Sequence, residues 1–435
     1  MHSQQQTGNS SFDVAIVGGG IIGLSLASEV ARREASVVVV ERGRCGAGAS
    51  EGNAGWVTPG LCDPLPAPGT VAQGLRWMMK ATSPLLIHPT LRPSFLRWMI
   101  DFWRSTSPTR FRAGMASLVA LGDRALSAYD ALADAGVEFE MHTDGLLFIA
   151  LEERRLDEEL RALREQHALG YKGGFEVLDR ATARELEPTI HEGVAGAVFA
   201  ADERHVRPET LTAGLLAHLR ERGVEVREDS PVEGLVPDGA GWRLLLPKGE
   251  WLLADHVAIA AGAHSRFLLD SLHVRLPLEA AKGYSVTDES PSARPRQPVY
   301  LLEAKVGVSP FAGSVRLAGT LELGTSDPSL NARRLAALDL AAQRYLAGWR
   351  PSARRTSWAG LRPLLPDGLP AVGAIPGHHG LFIATGHGML GMTLGPATAQ
   401  ALAPAMLGGR PALELAPFSI ARFSRAPVPD SLDGK

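Results

Sequence analysis

The sequence is poor in cysteine, in charge of one sign and in long apolar runs, and each lack excludes a class of protein. Only two of its 435 residues are cysteines, so neither a disulfide framework nor a cysteine-based zinc or iron–sulfur site is expected. The 44 basic and 47 acidic residues are interspersed, which leaves no basic stripe for nucleic acid. No window reaches the roughly 20 apolar residues that a membrane span needs.

The rest of the composition is typical of a globular, loop-rich enzyme, with 45% hydrophobic residues, 47 glycines and 30 prolines. The length favours roughly three domains, or two larger domains built from interrupted segments. Residues 1–11 are rich in Gln and Ser and lack an apolar run, so they predict a tail rather than a signal peptide. A second tail is predicted at 426–435. The scarcity of cysteine indicates a reducing compartment, and the expected location is cytoplasmic.

The N-terminal segment has the pattern of a βαβ unit. An apolar run at 12–17 predicts a buried strand, and the sequence GGGIIG follows at 18–23. Residues 21–33 then carry helical periodicity, and the β-branched run at 36–40 predicts a strand covered on both faces. This order, strand–turn–helix–strand within about thirty residues, predicts a Rossmann-type dinucleotide site.

Each glycine of the GxGxxG turn has a physical purpose. Gly18 permits the tight turn, Gly20 lets the backbone approach a pyrophosphate, and Gly23 allows close packing of helix on strand. The unpaired N–H groups at the helix N-terminus favour the phosphates. Glu41, at the end of the next strand, is placed to accept a hydrogen bond from a ribose hydroxyl and would repel a 2′-phosphate.

Two further glycine-rich segments favour FAD over a nicotinamide cofactor. Residues 255–265 read as a strand that runs into a turn of small residues, which lets the backbone return to the dinucleotide. Residues 385–396 make a second glycine-rich turn at a helix start, and that N-terminus would stabilise negative charge on a reduced flavin. No second Rossmann fingerprint occurs mid-chain, which argues against a reductase that also binds NADPH.

Five segments resemble those of a known superfamily. They are EGNAGWVTPG (51–60), KGYS (282–285), WAGLRPLLPDGLP (358–370), TGHGMLGMTLGP (385–396) and SIARFSR (419–425). In these segments the chain resembles the D-amino-acid oxidase-like FAD-dependent oxidoreductases, and within them the bacterial D-amino-acid dehydrogenases most. The likeness extends from residue 12 to residue 425. One departure lies in the loop at 61–65, where Asp63 stands in place of the small, less acidic residues of the family.

The resemblance implies an α/β fold with interleaved domains. An FAD-binding Rossmann domain with a parallel sheet is expected from 12–80, 170–270 and 355–425. An α+β substrate domain with a mainly antiparallel sheet is expected from 81–169 and 271–354. FAD should be bound non-covalently, because no cysteine lies near the C-terminal glycine-rich turn.

The motifs and the resemblance together predict the residues of the cofactor site. They are Gly18, Gly20, Ile21, Ile22, Gly23, Glu41, Arg42, Ser50, Asn53, Ala54, Gly55, Val232, Ala261, Gly262, Arg362, Gly388, Met389, Leu390, Gly391, Met392 and Thr393.

Arg362 is the principal candidate for binding substrate. A guanidinium holds a carboxylate with two parallel hydrogen bonds in a fixed plane, and the resemblance implies that role at this position. The structural alternative is an ion pair with an acid such as Asp367. Tyr284 could add its hydroxyl to the same carboxylate, or it could be a buried tyrosine bonded to backbone. His387 is expected to pack or hydrogen-bond locally rather than act in acid–base catalysis.

The segment 75–104 contains three of the eight tryptophans and has two interpretations. Its apolar residues have helical spacing and could pack in a core. Tryptophan flanked by arginine also suits an interfacial helix that touches a membrane and a quinone.

The expected reaction is oxidation of a small D-amino acid to the imino acid and then the 2-oxo acid. The resemblance implies that the electrons pass from FAD to a quinone-type acceptor, and a peripheral position on the inner face of the cytoplasmic membrane stays open. Dehydrogenation of cyclic imino acids such as D-proline or hydroxy-D-proline stays open, as does a glycine or sarcosine oxidase that uses oxygen. A flavoprotein whose FAD is structural or serves an enzyme partner is the rival from another class. No nucleic acid partner is expected, and the oligomeric state stays open.

Overall fold

A computed structural model describes residues 11–78 and 83–424 of the chain. The strands are β1 Ser11–Val17, β2 Val37–Val40, β3 Trp56–Val57, β4 Leu85–Ile87, β5 Met141–His142, β6 Leu146–Ala150, β7 Phe175–Asp179, β8 Gly196–Ala200, β9 Arg204–Val206, β10 Glu225–Arg227, β11 Gly234–Asp238, β12 Gly241–Leu245, β13 Trp251–Ile259, β14 Glu279–Asp288, β15 Val299–Leu301, β16 Val306–Phe311, β17 Ser314–Leu323, β18 Arg355–Leu364, β19 Ala371–Ala374 and β20 Leu381–Thr385. The helices are α1 Ile21–Ala31, α2 Thr70–Met78, α3 Pro93–Ser105, α4 Pro108–Gly122, α5 Ala125–Asp134, α6 Glu153–Ala168, α7 Arg180–Leu186, α8 Pro208–Glu221, α9 Ser265–Ser271, α10 Ala332–Tyr345 and α11 Gly391–Met406. Ser11 opens β1, and the other residues of the two predicted tails lie outside the described residues.

An eight-stranded sheet is built around the predicted βαβ unit. Its main path is β10-β2-β1-β13-β12-β11, and β20 pairs with the second half of β13 and with β19. The strands β10, β2, β1, β13 and β20 are parallel to one another. All four valines of β2 are buried, as a strand covered on both faces requires.

The carboxyl ends of four parallel strands meet at one edge of this sheet. The strands β1, β2, β13 and β20 lie in register there, because Val17 pairs with Val40 and Ile259, and Ile259 pairs with Ile383. Helix α1 begins just after β1, and α11 begins after the turn that follows β20. Both helix N-termini therefore lie at the edge where ligands of open α/β sheets bind.

A nine-stranded sheet of mainly antiparallel strands forms the second half of the molecule. Its main path is β18-β14-β17-β16-β15-β6-β8-β7, and β4 pairs with β17 in parallel. The antiparallel pairs among β14 to β17 agree with the mainly antiparallel sheet that was expected for the substrate domain. Together the two sheets confirm the α/β fold with a parallel sheet and a mainly antiparallel sheet.

The two faces of the nine-stranded sheet differ. On the back face, Tyr284 and Val286 of β14 pack in a core that includes Leu338 and Tyr345 of α10. Every second residue of β14 and β18 faces the front. Gly283 of β14 and Gly360 of β18, which pair with each other, are two of these residues. Because side chains alternate along a strand, the front face also carries Arg362.

The predicted domain boundaries stay a prediction. Residues 175–200 contain β7 and β8, and residues 355–364 form β18. All three strands pair in the nine-stranded sheet, although both segments were predicted with the cofactor domain.

The tryptophan-rich segment forms α2, β4 and α3, with residues 79–82 outside the described part. Helix α3 buries Phe95, Trp98 and Phe102 and leaves its opposite side to solvent. A helix long and apolar enough to cross a membrane does not occur among the described residues.

Candidate active site

The glycine-rich turn after β1 is held as its motif predicts. Gly18 has a φ of 116°, and a Cβ on it would lie 2.5 Å from the Ala260 carbonyl oxygen. A Cβ on Gly23 would overlap the Gly18 carbonyl oxygen. These two positions therefore need glycine for the fold itself.

Gly20 differs, because the space that a side chain at this position would enter is open. A Cβ there would meet only the Ser50 Oγ, at 3.4 Å. Ser50 Oγ in turn accepts the Ile21 N–H at 3.1 Å, at the first residue of α1. The protein thus leaves room before a helix N-terminus, and this cradle suits the pyrophosphate of a dinucleotide.

Glu41 lies beside the same turn. Its Oε2 accepts the Gly19 N–H at 2.7 Å, and its Oε1 accepts the Gly43 N–H at 3.1 Å. A carboxylate has about four acceptor sites, so capacity remains for a ribose hydroxyl. Arg42 is exposed next to it.

Val232 and the turn after β13 complete this edge of the sheet. The Ser230 N–H donates to the Glu41 carbonyl oxygen at 2.8 Å, so the chain before Val232 runs beside the end of β2. Val232 and Ala261 pack against one core cluster that includes Val40, and Gly262 follows at a φ of 54°.

The loop at 50–55 is tied to the front face of the nine-stranded sheet. Asn53 Oδ1 accepts the Gly55 N–H at 2.8 Å, and the Ala54 carbonyl oxygen accepts the Ser309 hydroxyl at 2.7 Å. Arg316 of β17 donates to the Asn53 carbonyl oxygen at 2.8 Å and to that of Glu51 at 3.2 Å. Sequence reasoning missed Arg316, because no local pattern marks it.

The turn before α11 and the first turn of that helix are anchored by one backbone hydrogen bond and by three side chains. The Gly388 N–H donates to the Pro363 carbonyl oxygen at 2.9 Å, and the Tyr129 hydroxyl donates to the Met392 carbonyl oxygen at 2.7 Å. Thr393 Oγ1 donates to the Trp56 carbonyl oxygen at 3.0 Å. His387 bonds Thr398 Oγ1 at 3.1 Å, and burial lowers its pKa to about 3. His387 is thus neutral near pH 7, which fits the expected local role.

The structure therefore brings most of the predicted cofactor residues to one place. At the carboxyl edge of the eight-stranded sheet lie the residues after β1, β2, β13 and β20, namely Gly18, Gly20, Ile21, Ile22, Gly23, Glu41, Arg42, Ala261, Gly262, Gly388, Met389, Leu390, Gly391, Met392 and Thr393. The loop at 50–55 and Val232 adjoin this edge. Their individual contacts with a cofactor remain predictions.

Arg362 lies apart from this edge, on the front face of the other sheet. Its guanidinium lies over Gly283 of the neighbouring strand β14. A Cβ on Gly283 would overlap the Cζ atom of Arg362. Its Nη1 donates to the Thr320 carbonyl oxygen at 2.9 Å. No carboxylate of the described residues lies within 4.0 Å of it, and Asp367 pairs with Arg422 at 2.7 Å instead. Burial lowers the pKa of Arg362 to about 10, so it stays charged near pH 7.

Tyr284 is not beside Arg362, which corrects its predicted role. Residues 283 and 284 point to opposite faces of β14, and Arg362 lies over Gly283. The Tyr284 hydroxyl donates to Glu322 Oε1 at 3.1 Å, and its ring is fully buried in the back-face core. Tyr284 is buried, as in the structural alternative for this residue, but its hydroxyl bonds a carboxylate rather than the backbone.

Tyr300 of β15 is the tyrosine on the front face. It pairs with Gly307 of β16, and a Cβ on Gly307 would lie 2.7 Å from the Trp56 indole. Trp56 meets the Tyr300 ring edge-on at 5.3 Å. Tyr300 also lies close enough to influence the pKa of Arg362. Sequence reasoning missed it, because no motif surrounds it.

Glycines keep the front face flat around Arg362. The Trp358 indole lies where a Cβ on Gly360 or on Gly52 would be, so loop 51–60 packs on β18 through this ring. Gly283, Gly307 and Gly360 leave space between the sheet and the loop. A half-buried cation facing this space is suited to hold a carboxylate.

The chain is similar to known flavoproteins over most of its length. Residues 13–405 match the family model described as FAD dependent oxidoreductase. A D-amino acid dehydrogenase of Xylella fastidiosa (strain M12) is 33% identical over 90% of this chain and 91% of that protein. Another, from Cereibacter sphaeroides, is 30% identical over 94% and 95%. The crystal structure of glycine oxidase from Geobacillus kaustophilus superposes with a TM-score of 0.74 at 26% identity, covering 96% of this chain and all of that one.

Proposed function

Since the chain belongs to the FAD-dependent oxidoreductase family, we propose that this flavoenzyme oxidises a small D-amino acid to its imino acid. The imino acid then reacts with water to give the 2-oxo acid and ammonia. The similarity to two D-amino acid dehydrogenases supports the substrate class. The observation that carries the proposal is the half-buried guanidinium of Arg362, which faces the front-face space without a carboxylate partner among the described residues.

Arg362 would hold the α-carboxylate and so fix the orientation of the α-carbon. Its planar fork offers two parallel donors, and the hydrogen bond to Thr320 sets the plane. Burial raises the pKa of Tyr300 above its usual range, so its hydroxyl stays a donor that can supplement the fork.

FAD, when bound, supplies the acceptor for the two electrons that the substrate loses. The amino acid releases two electrons and two protons when its Cα–N single bond becomes a double bond. The protein positions the substrate and excludes water, and these effects supply much of the rate. An amine that binds in its neutral form needs no dedicated base, and none was identified from the sequence.

Replacement of Arg362 tests the proposal. Arg362→Ala should cost about 3–5 kcal/mol of transition-state binding, because a desolvated charge pair is broken. Arg362→Lys should also be impaired, because a point donor replaces the fork. The measurement is the rate of anaerobic flavin reduction by D-amino acids, together with the FAD content.

The exposed Arg333→Ala on α10 is the matched control and should behave as wild type. Near-normal reduction in Arg362→Ala would show that the carboxylate is held elsewhere. Loss of FAD from that variant would assign Arg362 to the cofactor, as was also predicted, or to the fold.

A glycine or sarcosine oxidase is the second candidate, supported by the likeness to glycine oxidase. A panel of D-amino acids, cyclic imino acids, glycine and sarcosine would rank the substrates by anaerobic flavin bleaching. Stoichiometric peroxide in air would identify an oxidase. Bleaching by any of these substrates without a protein partner would exclude a purely structural FAD.

We further propose that the electrons pass to a quinone at a membrane surface. The supporting feature is the exposed side of α3, where Leu96, Ile100 and Trp103 are 46%, 50% and 62% exposed. Phe267 of the neighbouring α9 is 66% exposed. Arginines at 92, 97, 104 and 266 surround these residues, and such an arrangement suits an anionic bilayer.

Vesicle flotation tests this surface. Wild-type protein should float with anionic vesicles, and Ile100→Ser with Trp103→Ser should not. Leu340→Ser, which alters an equally exposed leucine on α10, is the control. Equal flotation of all three proteins, or none with wild type, would contradict a membrane-bound acceptor.

A further inference from the structure

A cluster of four ionisable side chains continues from Arg362 along the front face. Lys305 precedes β16 at the level of Thr320, because Gly319 pairs with Val306. Its ammonium lies 5.3 Å from the centre of the Tyr300 ring. Tyr300 thus stands between Arg362 and Lys305.

Two carboxylates complete this cluster. Asp63 comes from the loop at 61–65, where the chain departs from its family, and Glu159 comes from α6. Lys305 partly offsets the burial that raises the pKa of both acids, and both acids, after Tyr300, contribute to the raised pKa of Lys305. The packing agrees, because Leu61 of that loop and Tyr300 lie against one hydrophobic cluster that includes Leu160 of α6. The four groups therefore lie within electrostatic reach of one another.

The side chains of this cluster are enclosed by protein but not sealed from solvent. Asp63, Glu159, Tyr300, Lys305 and Arg362 are surrounded by protein on nearly all sides. Each nevertheless keeps some accessible surface. Partial accessibility of enclosed side chains is what residues around a cavity show.

When Arg362 is assigned to the α-carboxylate and both acids are ionised, the remaining charges in this space do not balance. Two carboxylates face one ammonium, and none of the three is in an ion pair shorter than 4.0 Å with any described residue. Arg155 also influences Lys305, but it is paired with Glu158. Burial raises the pKa of Asp63 to about 6 and that of Glu159 to about 7, as expected for carboxylates that lack sufficient positive charge.

We propose that Asp63 and Glu159 form a subsite for a cationic group at the end of the substrate side chain. This inference rests on the proposed function, in which Arg362 holds the α-carboxylate. A basic D-amino acid would then place a charge at each end of the cavity. Its side-chain cation would bring the cluster to two positive and two negative charges.

A pair of unreactive ligands tests the subsite by binding alone. ε-Aminocaproate is lysine without its α-amine, and caproate lacks the terminal ammonium as well. The holoenzyme should bind ε-aminocaproate about tenfold more tightly than caproate, measured by perturbation of the flavin spectrum. Asp63→Asn and Glu159→Gln should each reduce this ratio. Lys305→Met should increase it, because the competing cation is gone.

Turnover gives a second readout with D-lysine and its neutral isostere D-norleucine. The ratio of their kcat/KM values should favour D-lysine in wild type and fall in Asp63→Asn, with recovery in Asp63→Glu. Asp157→Asn removes an exposed charge from the same helix and should leave both ratios unchanged. Loss of FAD identifies any variant that fails to fold. If the variants of Asp63 and Glu159 fail in this way, Lys305→Met still tests the subsite, because it should raise the preference for ε-aminocaproate over caproate.

The outcomes separate this inference from the proposed function. A wild-type ratio near one, with D-norleucine still reducing the flavin, overturns the subsite alone. The subsite is also overturned if Asp63→Asn and Glu159→Gln weaken the cationic and the neutral member of each ligand pair equally. The carboxylates would then act on a feature that both ligands share rather than on the terminal cation. Failure of every D-amino acid to reduce the flavin overturns the proposed function.

Discussion

At the scale of single residues, Arg362 owes its position to a glycine on the next strand. Its guanidinium occupies the space where a side chain at 283 would lie. Gly283→Ala should therefore displace the guanidinium, and a misplacement of about 1 Å can cost about 100-fold in rate. The rate of flavin reduction should fall while FAD content and melting temperature stay near wild type.

Gly174→Ala is the control for this substitution, because its Cβ would meet only the Asp202 carboxylate, at an ordinary 3.7 Å. A Gly283→Ala enzyme with full activity would mean that the position of Arg362 over Gly283 does not matter for the reaction.

Glu203 is a buried carboxyl whose titration affects stability. Its Oε1 accepts the Gly60 N–H at 2.8 Å and the Tyr171 hydroxyl at 2.7 Å, and its Oε2 has no hydrogen-bond partner among the described residues. Burial raises its pKa from 4.5 to about 7. As pH rises from about 4.5 to 7 the unfolded chain loses this proton first, so the free energy of unfolding falls.

Glu203→Gln keeps the Oε1 acceptor and removes this titration. The variant should gain stability over wild type as pH rises, up to about 3 kcal/mol above pH 7. Denaturant unfolding at pH 5 and pH 8 measures the difference. A constant difference between the two pH values would show that Glu203 has an ordinary pKa in the folded protein.

At the scale of elements, two glycines at the start of α1 have different purposes. Gly20 leaves space for the cofactor, whereas Gly23 is required by the packing of the fold. Gly20→Val should fold and lose FAD, because the side chain enters the open cradle before α1. Gly23→Ala should instead destabilise the protein by about 2–3 kcal/mol, because its Cβ meets backbone. Flavin absorbance and thermal melting report the two effects. Full FAD content in Gly20→Val would be incompatible with the Rossmann site.

At the scale of the whole molecule, Arg316 joins the nine-stranded sheet and α8 to the loop at 50–55. Its side chain is 5% exposed and bonds Thr287 at 2.9 Å, Glu209 at 2.5 Å and the carbonyl oxygens at 51 and 53. Arg316→Met should lower the free energy of unfolding by about 3 kcal/mol, since it leaves buried acceptors without donors. FAD should also dissociate faster, because the loop loses its anchor.

Arg243→Met is the comparison, since Arg243 is 41% exposed and pairs only near the surface with Asp238. Urea titration and FAD release rates should separate the two variants. Equal effects would show that Arg316 is no more important than a surface arginine.

Much of the fold and of the cofactor edge could be predicted from the sequence, because those features are local. The first strand, the glycine turn, the valine strand and Glu41 all lie within residues 11–41. The confirmed FAD assignment follows from them together with the family segments. The positions of Arg362 and the C-terminal turn could be proposed by resemblance, since both lie in those segments.

The βαβ unit, the cofactor class and the family could thus be predicted without coordinates, because glycine spacing and strand patterning act over short stretches of chain. The side chains that surround Arg362 could be identified only from the folded protein. A shift of one residue along a strand moves a side chain to the other face of a sheet, so Tyr284 lies in the back-face core while Tyr300, from another strand, lies on the front face. Asp63, Glu159 and Lys305 likewise meet only through folding, because strand pairing and helix packing bring together residues that no local pattern connects.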